Sequence, residues 1–472
     1  MDNVQQLDSW AKDPAQTLVL DVEGEPITLE YVYRHLPKRR LTCRARWGNK
    51  LVVVKFFYGV GFADSAAREV KGSLAVQETA VLAPALLKHI DTEQHSVLIM
   101  EYLENNQTLG SWLDDGPTDE QFSVVISKVT RVLIALYQQG ITVKDPHLDN
   151  FLLCGDNVYV IDAGDMIVDT PAANIDVLKV VVLFFAQFFV KWDVLAYNAL
   201  VDVCKKDGHQ IGFTLEEWQE ELIKKRRWRE KRFITKKVFR NCTKFSVKKD
   251  CRRFMAVDKK LCTPDIIQML ERPDQWMASG ESLKNGGTAT VARVSLNGQE
   301  YVLKRYNIKK PFHALVRGLR WSRAAVSWRN AHLLDMLGIP TARAIAVIEE
   351  RWGPMRRRSY LLTESLNGQH AWDEYRDERV TDGEKDSLSF NISFIMQQLK
   401  WARVSHGDMK AQNIICTETG PVLIDLDGLR SNQSKKYFDR QFRKDVYRFV
   451  RSWQDDGEKN TFFQQYVNRL LH

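Results

Sequence analysis

The chain of 472 residues contains no C-x-x-C pair, and its seven cysteines, Cys43, Cys154, Cys204, Cys242, Cys251, Cys262 and Cys416, are scattered. Their odd number and spacing argue against a disulfide framework and a zinc site, and predict a reducing, cytoplasmic setting. Met1–Trp10 is polar and lacks the apolar core of a signal peptide. The most apolar run, Val180–Val190, is eleven residues long and contains Gln187, too short to span a bilayer, so it predicts a buried helix. What is present is an ordinary globular composition, 44% hydrophobic and 27% charged, at a length that accommodates two to three domains with separate cores.

Charge is unevenly spread. The net charge is +8, yet Lys224–Arg253 alone holds fifteen Lys or Arg against two acids, so the remainder of the chain is acidic. Trp228, Phe233, Phe239 and Phe245 interleave the block, and Val238–Val247 has the pattern of pairing strands. One reading is a solvated linker or lobe surface. The other is a contact for an anionic membrane surface or a polyanionic substrate. Nucleic acid is not an expected partner, because no base-reading motif accompanies the block.

A cassette occurs twice, 263 residues apart. The first copy is Lys144-Asp145-Pro146-His147-Leu148-Asp149-Asn150, followed by an apolar run and Asp162. The second is His406-Gly407-Asp408-Met409-Lys410-Ala411-Gln412-Asn413, followed by Val422-Leu423-Ile424 and Asp425. In both, Asp to Asn is five residues and Asn to the next Asp is twelve. A D-x-x-x-x-N loop followed by a strand ending in Asp is the phosphoryl-transfer arrangement of kinase-like folds.

The surrounding elements repeat as well. Strand Leu51–Val54 delivers Lys55, and Glu69 follows fourteen residues later on a helix. Strand Ser96–Met100 leads into a hinge-like Glu101-Tyr102-Leu103. Thr118–Gln121 is a capping box opening a helix that Gly140 ends. In the second half, strand Tyr301–Leu303 delivers Lys304, a basic helix is predicted over His313–Leu337, and the hinge-like Tyr360–Glu364 follows. Thr381–Glu384 opens the helix before His406. The expected fold class is α+β: two tandem bilobal protein-kinase-like domains, 1–230 and 231–472, each with a small β-rich lobe and a mostly helical lobe.

Each residue type in this pattern has a chemical reason. Lys55 and Lys304 at strand ends would meet ATP phosphates. Gly286, Gly287 and Thr288 would let backbone N–H groups approach phosphate oxygens, although N-G-G-T also suits a hairpin turn. Glu364 would lie at the nucleotide hinge. Asp408 and Asp145 would orient and deprotonate the acceptor hydroxyl, while Asn413 with Asp425, and Asn150 with Asp162, would hold magnesium. Lys410 would neutralise charge on the transferring phosphoryl group; His147 has that offset in the first copy. Arg317, Arg320 and Arg323, one face of the basic helix, with Arg329 further on, make either a solvated surface or a cradle for an anionic saccharide.

H-G-D-x-K-x-x-N followed by Leu423-Ile424-Asp425-Leu426-Asp427, with Trp328-Arg329-Asn330 through Leu337-Gly338-Ile339-Pro340-Thr341, resembles the bacterial lipopolysaccharide core kinases that phosphorylate heptose or Kdo sugars. The resemblance covers about 280–430, and more loosely about 50–165. It implies an ATP- and Mg2+-dependent phosphotransferase acting on an inner-core sugar of lipopolysaccharide, cytoplasmic and peripheral on the inner membrane.

Two departures keep other readings open. Arg305–Asp335 contains no Glu to pair with Lys304, and Ser327 stands near its expected place. The first half has Glu69 but no Gly-rich turn, since Leu41–Asn49 contains only Gly48. A pseudokinase scaffold, or a small-molecule phosphotransferase of the aminoglycoside type, therefore remains an alternative. The 47 residues after Asp425 leave no room for a peptide-binding lobe, favouring a small or glycan acceptor.

Overall fold

In the computed structural model, residues 3–14, 16–22, 24–169, 176–307, 321–353, 355–431 and 433–453 are described. The chain is mixed α/β and divides into two compact units, 1–187 with 192–222, and 188–191 with 223–472.

The first unit begins with α1 (Asn3–Trp10), β1 (Leu18–Val22), β2 (Glu25–Leu36), β3 (Arg40–Trp47) and β4 (Lys50–Tyr58), then α2 (Phe62–Gln77), β5 (Leu86–Asp91) and β6 (His95–Glu101). The strands form one antiparallel sheet in the order β1-β2-β3-β4-β6-β5. Period-two alternation sets its faces: Leu41, Cys43 and Ala45 of β3 and Val52 and Val54 of β4 turn into one core, while Thr42, Arg44 and Arg46 of β3 turn away from it. Helix α3 (Asp119–Gln138) begins at the predicted Thr118–Gln121 capping box and buries Phe122, Ile126, Val129, Leu133 and Leu136. Beyond it lies the hairpin of β7 (Phe151–Cys154) and β8 (Asn157–Val160). The apolar run does not stay helical to Val190. Helix α4 (Val177–Phe185) stops early, and the amide of Gln187 donates to the carbonyl of Pro146 at 2.5 Å, tying this stretch to the loop that carries Asp145.

In the second unit, the strands β9 (Phe245–Lys249), β10 (Arg253–Asp258), β11 (Glu281–Asn285), β12 (Ala289–Leu296) and β13 (Gln299–Tyr306) precede α5 (Arg323–Leu337), β14 (Ala344–Trp352) and β15 (Met355–Glu364). The sheet is antiparallel, in the order β9-β10-β14-β15-β13-β12-β11. Helix α5 is N-capped by Ser322 and ends at Gly338 in the left-handed conformation; it buries Ala324, Trp328, Ala331 and Leu334. Helix α6 (Asp382–Ala402) starts at the predicted Thr381–Glu384 capping box. The hairpin of β16 (Ile414–Thr417) and β17 (Gly420–Leu423) follows, then α7 (Lys435–Arg451), which is capped by Ser434 and buries Phe438, Phe442, Val446 and Phe449.

Two expectations need correction, and a third falls partly outside the described residues. Pairing does not begin at Val238: residues 235–237 are helical, and Val238 is buried with its carbonyl accepting from the Trp328 indole at 2.9 Å. The helix expected from His313 is described only from Arg323, and Arg317 and Arg320 lie outside the described residues. The basic block is not a uniform surface either. Arg226 is buried and donates to the Phe188 carbonyl at 2.9 Å, and Arg227 donates to the carbonyl of Gln433. Among the described residues, no helix is long and apolar enough to cross a membrane.

Candidate active sites of the two units

In the second unit the loop His406–Asn413 links the end of α6 to β16. His406 is buried, its Nε2 3.1 Å from the Ile424 carbonyl, and burial pushes its pKa below the ordinary value. Gly407 is obligatory: its φ is +82°, and a Cβ there would stand 2.3 Å from the Gly428 carbonyl oxygen. Its N–H is held by both carboxylate oxygens of the buried Asp445, each at 3.0 Å, and its carbonyl accepts from Arg448 at 2.6 Å. The backbone beside Asp408 is thus pinned from α7. Asn413 donates to the Asp408 carbonyl at 2.7 Å and to Asp408 Oδ2 at 3.1 Å, and Lys410 Nζ lies 3.0 Å from that same oxygen. A part-exposed carboxylate in a fixed loop beside an ammonium can take a proton from an alcohol while the cation steadies developing negative charge.

Asp425 follows β17 and adopts left-handed backbone angles, φ 62° and ψ 59°, which turn the chain sharply at the strand end. Ile424 N–H donates to the Asn413 carbonyl at 3.0 Å, so the loop and the strand end are laced together. Lys304 Nζ contacts Asp425 Oδ1 at 2.6 Å. Burial disfavours the Lys304 charge, but Tyr306 and Asp425 outweigh it and raise its pKa; burial likewise works against the Asp425 charge, yet Lys304 and Arg323 hold that carboxyl below the usual range.

No carboxylate of α5 meets Lys304. Instead Tyr306, buried beneath it, presents its ring 5.0 Å from Lys304 Nζ and 5.0 Å from the Arg323 guanidinium. Tyr306 Oη and Ser327 Oγ share a hydrogen bond of 2.9 Å, which places Ser327 against the strand that bears the lysine. Arg323 pairs with Asp427, and Asn330 donates to the Leu426 and Leu429 carbonyls at 2.8 and 3.1 Å. Helix α5 is therefore fastened to the segment after Asp425 by an arginine and an asparagine rather than by a Lys–Glu pair.

Gly286, Gly287 and Thr288 form the turn between β11 and β12, braced by Asn307, whose amide donates to the Gly286 carbonyl at 3.3 Å and whose N–H donates to Thr288 at 3.1 Å. Glu364 ends β15 and is engaged by Arg343, at 2.8 Å from its N–H and 2.6 Å from its guanidinium. Of the four arginines expected to make either a solvated face or an anion cradle, Arg323 is paired with Asp427 and Arg329 lies 3.0 Å from the buried Glu230, while Arg317 and Arg320 lie outside the described residues.

The first unit brings together the counterpart residues differently. Lys55 pairs with buried Glu69, and its Nζ is 3.3 Å from Asp162. Burial disfavours the Lys55 charge, but Glu69 and Asp162 outweigh it and raise its pKa. Asp162 has the same left-handed turn as Asp425, φ 65° and ψ 58°. Two further cations reach it: Arg40 at 3.3 Å and Arg34 at 3.9 Å. Both come from the hairpin β2–β3, which precedes the lysine strand as β11–β12 does in the second unit. The counterpart of the glycine turn is therefore Pro37-Lys38-Arg39, not Leu41–Asn49, and it offers basic side chains instead of open backbone. The loop is also looser. Asn150 reaches the Asp145 carbonyl at 3.4 Å, and His147 turns to Asp149 at 3.3 Å rather than to Asp145.

Sequence reasoning did not single out Asp445, Arg448, Tyr306, Arg34 or Arg40. Nothing local marks the first two, which act across more than thirty residues. The one signal in the sequence that could have found Arg40 is the basic turn Pro37-Lys38-Arg39-Arg40. As a magnesium site, Asp425 and the amide oxygen of Asn413, which stays available because Nδ2 does the donating, are hard oxygen donors of the kind that ion takes together with phosphates and water. Among the described residues there is no group of three or more His, Cys, Asp or Glu that could hold a metal ion.

Residues 268–472 match the lipopolysaccharide kinase (Kdo/WaaP) family. The match bears out, over that stretch, the resemblance read from the sequence, and it supports a phosphotransferase of the kinase type. Among solved structures, "WaaP in complex with acyl carrier protein" is similar at a TM-score of 0.31 and 16% identity, covering 43% of this chain and 86% of that one. No curated protein matches the chain.

Proposed function

We propose that the chain is a tandem of two bilobal kinase-like domains, 1–230 and 231–472, whose second domain transfers the γ-phosphoryl group of ATP to a sugar hydroxyl of the lipopolysaccharide inner core at the cytoplasmic membrane face. The observation that carries this is the Asp408–Lys410–Asn413 loop laced to Asp425 and Lys304, within the stretch that matches the lipopolysaccharide kinase family.

In this mechanism the glycine turn Gly286–Thr288 covers the phosphates, Lys304 contacts them, and Glu364 closes the hinge side of the nucleotide. Asp425 and Asn413 hold magnesium, which when bound neutralises phosphate charge. Asp408 accepts a hydrogen bond from the acceptor hydroxyl, orients it and takes its proton. Lys410 offsets the charge that develops. Positioning and electrostatics supply the catalysis, as a loose phosphoryl-transfer transition state requires.

For the first domain, three cations on Asp162 favour the alternative of a pseudokinase that supports the second. Transfer of labelled phosphate from ATP to purified core oligosaccharide tests the reading: wild-type transfer with none from Asp408→Asn is expected, and failure of the wild type to label any core acceptor overturns it.

A further inference from the structure

Helix α7 carries seven Lys or Arg within seventeen residues and only two acids, Asp439 and Asp445. Its apolar side is buried, and Asp445 is buried with it under the Gly407 N–H. The other side is exposed and strongly basic. Lys436, Arg440, Lys444 and Arg448 stand at i, i+4, i+8 and i+12, one straight ridge about 18 Å long at 1.5 Å per residue. Like charges at this spacing repel and destabilise a helix, so the ridge is not there for the helix's own sake. None of Lys436, Arg440 and Lys444 is paired with a carboxylate among the described residues. Asp439, the one acid on the wet side, has Lys400 and Arg403 beside it.

The ridge has a direction. Its last member, Arg448, donates to the Gly407 carbonyl at 2.6 Å and lies 3.8 Å from Asp408. Next to it Tyr447 is 64% exposed, an aromatic face standing among cations, and a shallow depression on this surface is lined by Tyr447, five Lys or Arg between Lys435 and Lys444, and one carboxylate, Asp439. Cations that bind carboxylate or phosphate, with an aromatic ring on which a pyranose can stack, form a surface suited to an acidic sugar chain.

We propose that this ridge is the acceptor track of the second unit's site: an anionic oligosaccharide lies along α7 with its carboxylate or phosphate groups on Lys436, Arg440 and Lys444, its ring over Tyr447, and its reacting hydroxyl at Asp408. The proposal rests on the reading of that site as a saccharide phosphotransferase. It moves the anion cradle from α5, whose described arginines are already paired, to α7.

The test uses the full chain, its K436Q/R440Q/K444Q variant, and a K436R/K444R control. The acceptors are a deacylated inner-core oligosaccharide and its carboxyl-reduced, dephosphorylated counterpart. For the charged acceptor, KM should rise at least about tenfold in the glutamine variant while kcat and the KM for ATP stay within about twofold. The arginine control should behave as wild type, and the uncharged acceptor should not distinguish the proteins. An unchanged acceptor KM, or equal losses on both acceptors, overturns the proposal. If the wild type phosphorylates neither acceptor, the catalytic reading has failed, and equilibrium binding of the same two oligosaccharides decides the ridge. Salt-sensitive binding of the charged one, lost in the glutamine variant, sustains it; equal binding by both proteins removes it. Should anionic vesicles distinguish the variant while the oligosaccharides do not, the ridge is a membrane contact and the acceptor track is wrong.

Discussion

Arg40 Nη1 and Lys55 Nζ each lie 3.3 Å from the same carboxylate oxygen of Asp162. Asp425, the counterpart in the second unit, has Lys304 at 2.6 Å and, among the described residues, no arginine within ion-pair distance. A carboxylate already neutralised by guanidinium is a poor ligand for a divalent cation. The two copies of one cassette therefore differ in what surrounds their strand-end aspartates, although the spacing within them is identical.

From this contrast, Asp145→Asn should reduce phosphoryl transfer by less than about threefold, whereas Asp408→Asn should reduce kcat by at least about a hundredfold, the usual range for loss of a general base. Steady-state rates with purified variants compare the two directly. Equal losses would show that both units catalyse.

Asp408→Asn should leave ATP binding within about twofold of wild type, because the side chain addresses the acceptor. Asp425→Ala should lose the magnesium-dependent part of ATP binding. Titration calorimetry with and without magnesium separates the two, and the metal assignment fails if Asp425→Ala still binds Mg-ATP as tightly as wild type.

Tyr306 stands where a Lys–Glu pair was missing. Tyr306→Leu removes the ring under Lys304 and Arg323, while Tyr306→Phe removes only the hydrogen bond to Ser327, worth about 0.5–1.5 kcal/mol of stability. We expect the leucine variant to raise the KM for ATP several-fold and the phenylalanine variant to keep it, on the order of the cation–π contribution. Kinetics in which the two variants are equally impaired would assign the effect to the hydroxyl instead.

His332 is buried between Phe245 and Trp328, with ring centroids 4.8 and 4.2 Å away and its Nε2 unpaired, and burial pushes its pKa down to about 3. The unfolded imidazole titrates near 6.5, so between these values the unfolded chain binds a proton that the folded one refuses. This residue's contribution to stability is constant above about pH 6.5 and falls by about 1.4 kcal/mol per pH unit as pH drops through that window. Urea denaturation followed by tryptophan fluorescence should show a shallower acid loss for His332→Phe. An unaltered slope would mean that the imidazole is solvated.

Contact between the basic block and an anionic surface, one of the two readings of its charge, would have to run through its exposed members. Arg226 and Arg227 are engaged in the fold, so their replacement should destabilise the protein rather than report on membranes. Lys231, Arg232, Lys236 and Arg240 are exposed, and Arg232 lies 5.1 Å above the half-exposed ring of Trp228. Neutralising these four should weaken sedimentation with anionic vesicles, each contributing on the order of 1 kcal/mol at low salt. Binding indifferent to lipid charge and salt would reduce the block to a solvated surface.

The amino-acid sequence alone determined what local rules govern. Strand periodicity located β4, β6 and β13; the capping boxes at Thr118 and Thr381 located the helices before both loops; and fixed spacing located Asp408, Asn413, Asp425 and their counterparts. These signals are legible because each depends on neighbours within a few turns of chain. What surrounds the aspartates depends on partners brought together by folding. Arg40 reaches Asp162 across 122 residues, Lys304 reaches Asp425 across 121, and Asp445 holds Gly407 across 38. No periodicity encodes such contacts, because they arise where sheet, loop and helix converge. Only the tertiary structure could decide that one strand-end aspartate is paired with two arginines as well as its lysine, while the other, among the described residues, is paired with its lysine.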